Sequence, residues 1–169
     1  MRRAGFLLLL IVALTLELQH YENGHPRSPP RRATPARVDE AQTARLLTLL
    51  DFWSEKLVPD ILLEHARARA LQAGDAAKAA RLEPEVRRRL LQVQSFGTSV
   101  AKELALEKRN SAARRVRAAA IAWAAWASAV LRQSHARRTG QIAGLEAAAV
   151  RLHQAAYAAV DAAARAAAR

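Results

Sequence analysis

The chain of 169 residues contains no cysteine. That absence removes disulfide scaffolds, thiolate zinc sites, iron–sulfur clusters, thiol catalysis and a lipid on an N-terminal cysteine. It leaves the redox compartment open, because a helical bundle needs no covalent staple. Glycine and proline are scarce, six of each, and aromatic residues make up only 5%. Alanine is the commonest residue. A chain poor in the two helix breakers and rich in the best helix former is expected to be all-α. Long apolar runs are missing too. The longest charge-free stretches are residues 4–16 and 118–131. A helix of either length covers roughly 20 Å, short of the ~30 Å hydrocarbon core of a bilayer.

Catalytic and cofactor signatures are equally sparse. No phosphate-cradling glycine loop, nucleophile elbow or zincin helix occurs. Among the five histidines, Glu17 and His20 have the Glu-x-x-His spacing of di-iron bundles. Such a site needs two of these pairs and two more carboxylates. His65 and His135 lie on separate predicted helices, and a haem or metal held between them is a minor reading. Covalent haem is excluded without cysteine. His153 falls on an apolar stripe and reads as a structural residue. No enzyme activity, metal or cofactor is expected.

Positive charge is abundant. The net charge is +12, and arginine outnumbers lysine 23 to 4. With the alanine excess, the composition resembles that encoded by a GC-rich bacterial genome. Residues 38–75 carry −3, residues 76–110 carry +4 and residues 111–169 carry +7. The acidic part lies on one predicted helix, where Asp51, Glu55, Asp60 and Glu64 read as a solvated face complementing the basic helices. Arg87, Arg88 and Arg89, Arg114, Arg115 and Arg117, and Arg137 and Arg138 form clusters that could meet an anionic partner. They lack interleaved aromatics and a recognition-helix pattern.

Three segments follow along the chain. Residues 1–20 begin with Arg2 and Arg3, then the apolar run, closed by Glu17. This is the plan of an export signal. Small residues at cleavage spacing occur only within the run (Ala13, Thr15) or far downstream (Thr34, Ala36). A signal-anchor is therefore expected, with a cleaved signal as the alternative. Arg2 and Arg3 favour a cytoplasmic N-terminus, against the pull of Arg27, Arg31 and Arg32. Residues 21–37 hold four prolines and form a Pro/Arg-rich linker.

Residues 38–169 are expected to fold as an up-down antiparallel bundle of three to four long helices behind that apolar segment. The spans are 38–73, kinked at Pro59, then 84–109, 111–138 and 141–168. Leu46, Leu50, Trp53 and Leu57 make one stripe, ended by Gly74. Asp75 caps a short turn through Leu82, and Pro84 opens the next helix. There Val86, Leu90, Val93, Gly97, Val100 and Leu104 form a heptad seam. Gly97 leaves room for the close approach of a neighbour such as a tryptophan. Val116, Ala119, Trp123, Trp126 and Val130 lie about 120° out of phase with that seam. A turn at Asn110 and Ser111, with Ser111 as N-cap, accounts for the shift; one long helix is the alternative. Ile142, Leu145, Ala149 and Leu152 mark the last helix. The large core residues are Leu46, Leu50, Phe52, Trp53, Leu57, Leu90, Phe96, Trp123 and Trp126.

These features point to a non-enzymatic, membrane-tethered or exported interaction or structural module. The membrane is engaged through residues 4–16 and the C-terminal domain lies outside the cytoplasm. A secreted or periplasmic form is the alternative location. The expected partner is a protein, a second copy of the chain, an anionic lipid or an envelope polymer. Export would exclude nucleic acid. A cytoplasmic nucleic-acid-binding protein and a small-ligand or haem-binding bundle are the alternatives.

Overall fold

A computed structural model describes residues 40–133 and 139–168. The apolar segment 1–20, the linker 21–37, Glu17, His20, His135, Arg137 and Arg138 lie outside the described residues. Four long helices follow one another: α1 (Glu40–Gln72), α2 (Ala76–Glu103), α3 (Ser111–Arg132) and α4 (Thr139–Ala167). No strand occurs among the described residues.

Cross-helix contacts fix the directions. Asp60 meets Arg89 and Arg67 meets Glu83, so α1 and α2 run in opposite senses. Gln94 meets Ser128 and Ala101 meets Arg117, which makes α2 and α3 antiparallel. Ser54 meets His153 and His65 meets Glu146, which returns α4 antiparallel beside α1. The four helices surround a core centred on Leu50, Leu90, Val116, Trp126 and Val160. Each such large side chain contributes ~1.5–3 kcal/mol by leaving water.

Between α1 and α2 the chain reverses in three residues. Gly74 adopts φ +75°. Its N–H donates to the Leu71 carbonyl at 3.1 Å, and the Asp75 N–H donates to the Ala70 carbonyl at 2.9 Å. This is the paired closure that a left-handed glycine permits at a helix end. Asp75 then accepts from the Lys78 N–H at 2.9 Å and opens α2.

From there the helix runs unbroken through Pro84, correcting the expected short turn with a fresh start at Pro84. Residues 76–83 are strong helix formers and Ala79 is buried. One missing donor at Pro84 does not outweigh them. Likewise α1 passes Pro59 without a break. Pro59 and Glu55 are both exposed, so water can replace the lost partner of the Glu55 carbonyl.

The heptad seam of α2 is buried at every position from Val86 to Leu104. A single 3-10 turn, Leu104–Leu106, and four further residues then separate α2 from α3. The expected helix to residue 109 therefore ends at Glu103. The cap of α3 is Asn110, not Ser111. Asn110 has the extended φ −86°, ψ 111°, and its Oδ1 accepts from the Ala113 N–H at 3.0 Å. Its Nδ2 donates to Gln42 Oε1 at 3.0 Å, tying the connection to the start of α1. At its other end α3 stops at Arg132, short of the expected residue 138, because Gln133 turns to the extended region.

Two expected core residues lie at the margin instead. Phe52 is 52% exposed and Phe96 is partly buried. Each sits one residue off its helix seam, about 100° around the axis. They pack on one another, with centroids 6.2 Å apart, and Phe96 meets the edge of Trp53 at 5.4 Å.

Gly97 faces α3 rather than a tryptophan. A Cβ there would stand 2.7 Å from the Ala120 carbonyl oxygen and 3.1 Å from the Ala124 Cβ. Backbone oxygen cannot swing aside. Gly97→Ala gains ~1 kcal/mol of helix propensity and loses ~1–3 kcal/mol to overpacking. The urea midpoint of this variant is expected to fall. That of Gly144→Ala, in open space on α4, is expected to rise.

Candidate functional site

The seam of α1 does not stop at Leu57. Continuing its spacing gives Asp60 and Glu64, and both are buried, 8% and 5% exposed. The expected solvated face therefore holds only for Asp51 and Glu55, which are exposed. A carboxylate out of water needs a partner, and arginines supply it. Arg89 Nη1 donates to Asp60 Oδ1 at 2.8 Å, and its Nε donates to Glu85 Oε1 at 2.6 Å. Arg88 forks onto the same Glu85 at 2.6 and 2.8 Å. The guanidinium of Arg88 first, and that of Arg89 second, hold the Glu85 carboxyl down at about 2.

One turn on, Arg67 forks onto Glu64 at 2.7 and 2.8 Å and donates to Glu83 at 3.0 Å. Hydrogen bonding to Glu64 raises the Arg67 pKa further above its ordinary value. The acidic α1 thus draws on the basic α2 for its counter-charges.

This sorts the arginines singled out as anion contacts. Arg88 and Arg89 are committed within the bundle. Arg87, Arg114 and Arg115 are exposed, with no carboxylate partner among the described residues. Arg117 is exposed and, among the described residues, donates to the Ala101 carbonyl at 3.1 Å without a carboxylate partner. Arg137 and Arg138 lie outside the described residues.

A cleft of about 510 Å³ opens between the C-terminal half of α1 and the start of α4. Leu62, Leu71, Ile142 and Ala143 give it an apolar floor. On its wall, His65 Nε2 lies 2.9 and 3.0 Å from the two oxygens of Glu146. The partner of His65 is thus a carboxylate, and its expected companion His135 lies outside the described residues. Among the described residues no group of three or more His, Asp or Glu side chains is placed to hold a metal.

Sequence spacing gave no sign of a second constellation. His153 Nε2 is 2.7 Å from Ser54 Oγ. Ser54 itself donates to the Leu50 carbonyl at 2.8 Å. The hydroxyl thus lies between the Leu50 carbonyl and the imidazole Nε2. Nδ1, which would take an orienting carboxylate in a catalytic triad, is buried with no hydrogen-bond partner among the described residues. His153 packs edge-on to Trp53 at 5.9 Å and against Tyr157 at 6.3 Å. The structural role read from the sequence fits, with one nitrogen satisfied rather than two.

Burial lowers the His153 pKa below its ordinary 6.5. The unfolded chain therefore binds the proton more readily than the folded one, and stability falls as pH drops below 6.5. The melting temperature should decline from about pH 7 to about pH 5, and His153→Leu should flatten that decline. An unchanged pH profile in the variant would remove His153 as the cause.

No family model, no curated protein and no solved structure matches this chain.

Proposed function

We propose that the chain is a non-enzymatic interaction or structural module, an up-down antiparallel bundle carried behind an N-terminal apolar segment. Residues 4–16 act as a signal-anchor at a membrane, and residues 21–37 stand the bundle off its surface. The bundle lies outside the cytoplasm and engages a protein partner or an anionic envelope surface. Cleavage after the apolar segment would yield the secreted or periplasmic form.

One observation carries this reading: the sorting of charge. The buried carboxylates of α1 are met from inside the bundle, while Arg87, Arg114 and Arg115 point to solvent with no carboxylate partner among the described residues. Self-pairing explains the first set. A surface that keeps the second set free is suited to an anionic partner.

The test is protease digestion of a C-terminal tag on the full chain in intact bacterial spheroplasts. Digestion without lysis is the expected result. Protection until lysis would put the bundle in the cytoplasm, and the free arginines would then be assigned to nucleic-acid phosphates.

A further inference from the structure

The antiparallel order brings the C-terminus of α2, the 104–110 connection, the N-terminus of α3 and the start of α1 to one end of the bundle. Contacts of Gln42 with Glu107 and Asn110, and of Arg45 with Glu103, hold these pieces together. Residues 102–117 carry six cations there: Lys102, Lys108, Arg109, Arg114, Arg115 and Arg117. All six are exposed, and none has a carboxylate partner among the described residues. The two carboxylates of the stretch are engaged from α1, Glu103 by Arg45 and Glu107 by Gln42. Nearer the middle of α1 and α2, Arg67, Arg88 and Arg89 are consumed by Glu64, Glu83, Glu85 and Asp60, while at the opposite end Arg69, Lys78, Arg81 and Arg132 are exposed without a carboxylate partner among the described residues.

A second feature separates this end from a merely soluble basic surface. Leu106 is 89% exposed, the most exposed large apolar side chain among the described residues. It projects from the 3-10 turn while Leu104, two residues earlier, is buried and fixes the turn to the core. An apolar side chain at the tip of a connection that also carries Lys108 and Arg109 fits an interface with anionic headgroups outside and hydrocarbon beneath. Phosphates of a nucleic acid would use the cations and leave the leucine without a role.

We infer that the end of the bundle built from residues 102–117 docks onto an anionic lipid surface, its six cations on the headgroups and Leu106 at the acyl boundary. This rests on the membrane-tethered reading above and assigns it a face.

The native chain provides its own probe, because it has only four lysines: Lys56, Lys78, Lys102 and Lys108. The first two lie away from the proposed face. The full chain is combined with vesicles of phosphatidylcholine alone or with one-third phosphatidylglycerol, then acylated at its amines and mapped by mass spectrometry. On anionic vesicles, Lys102 and Lys108 should be acylated about fivefold less than Lys56 and Lys78, and ~1 M salt should erase the difference. On neutral vesicles the four should react alike. Leu106→Asp, at a site too exposed to matter for folding, should weaken the protection.

Equal protection of all four lysines would overturn the inference. So would an unchanged pattern between the two vesicle types, or protection by duplex DNA but not by vesicles. The spheroplast experiment separates the two claims. A digested tag without selective protection sinks the docking face and spares the tethered module. A protected tag with selective protection sinks export and spares the docking face.

Discussion

Arg67→Ala is expected to cost about 3 kcal/mol of unfolding free energy, far more than an ordinary surface arginine. The side chains of Arg67 and Glu64 are only 11% and 7% exposed. Truncating Arg67 leaves a buried carboxylate with no cation. Glu64 must then stay charged out of water or take up a proton, and both are unfavourable. Arg67→Lys should fall between, since an ammonium cannot reproduce the two-pronged contact at 2.7 and 2.8 Å.

The informative variant is the double one, Glu64→Leu with Arg67→Met. It removes both charges together and should return to within about 1 kcal/mol of the parent, because the desolvation cost disappears with the attraction. Glu83, the outer partner of Arg67, has a side chain 54% exposed and can be left to water. Urea unfolding of the four proteins decides it. Should Arg67→Ala cost less than about 1 kcal/mol, the pair behaves as a solvated surface bridge, and water in the adjoining cleft reaches Glu64.

That pair also marks the border of what was legible in the sequence. Leu46, Leu50, Trp53 and Leu57 announce a seam, and the same four–three alternation runs on to Asp60 and Glu64. Register alone therefore placed both carboxylates inside, and reading by residue type placed them outside. The phase argument was the stronger one, because a rigid helix carries its buried face forward whatever residue comes next. The arginines that answer them come from α2, and no local rule links residue 60 to residue 89.

Periodicity sufficed where a structural decision was local. It marked the α2 seam, the glycine closing α1, the phase break between α2 and α3, and the close approach at Gly97. It failed where two local rules competed. Pro84 reads as a helix start, yet the Asp75 cap and the alanines behind it prevail. Asn110 and Ser111 both suit a cap, and the amide of Asn110, able to reach Gln42 as well, takes the place. Of the basic face, Arg114, Arg115 and Arg117 were legible as a charge run. Lys102, Lys108, Arg109 and Leu106 were not. Only the bend after Leu104 brings them to one end, though a leucine out of phase with its own seam is a signal that could have been used.

The second large effect concerns the core. Trp126 is fully buried, and its ring stands edge to face with Trp123 at 5.4 Å and 87°. Trp126→Ala should cost about 4 kcal/mol, the lost contact area plus the cavity left among closely packed alanines. Trp126→Phe should behave differently. Among the described residues the buried Trp126 Nε1–H has no acceptor, and neither has that of Trp123. An unpaired buried donor carries a desolvation cost of about 1–3 kcal/mol, which phenylalanine does not have. Phenylalanine also keeps a ring against Trp123, while giving up the volume of the fused five-membered ring. These terms oppose one another, so Trp126→Phe should lie within about 1 kcal/mol of the parent in urea unfolding. Equal losses for the Phe and Ala variants would mean that the indole N–H is well satisfied, with the π face of Trp123 as the acceptor within reach. A small loss for Phe alone would mean that the bundle keeps its tryptophans for volume. Alanine-rich helices pack closely but bury little area each, and two indoles on one face of α3 make up the difference.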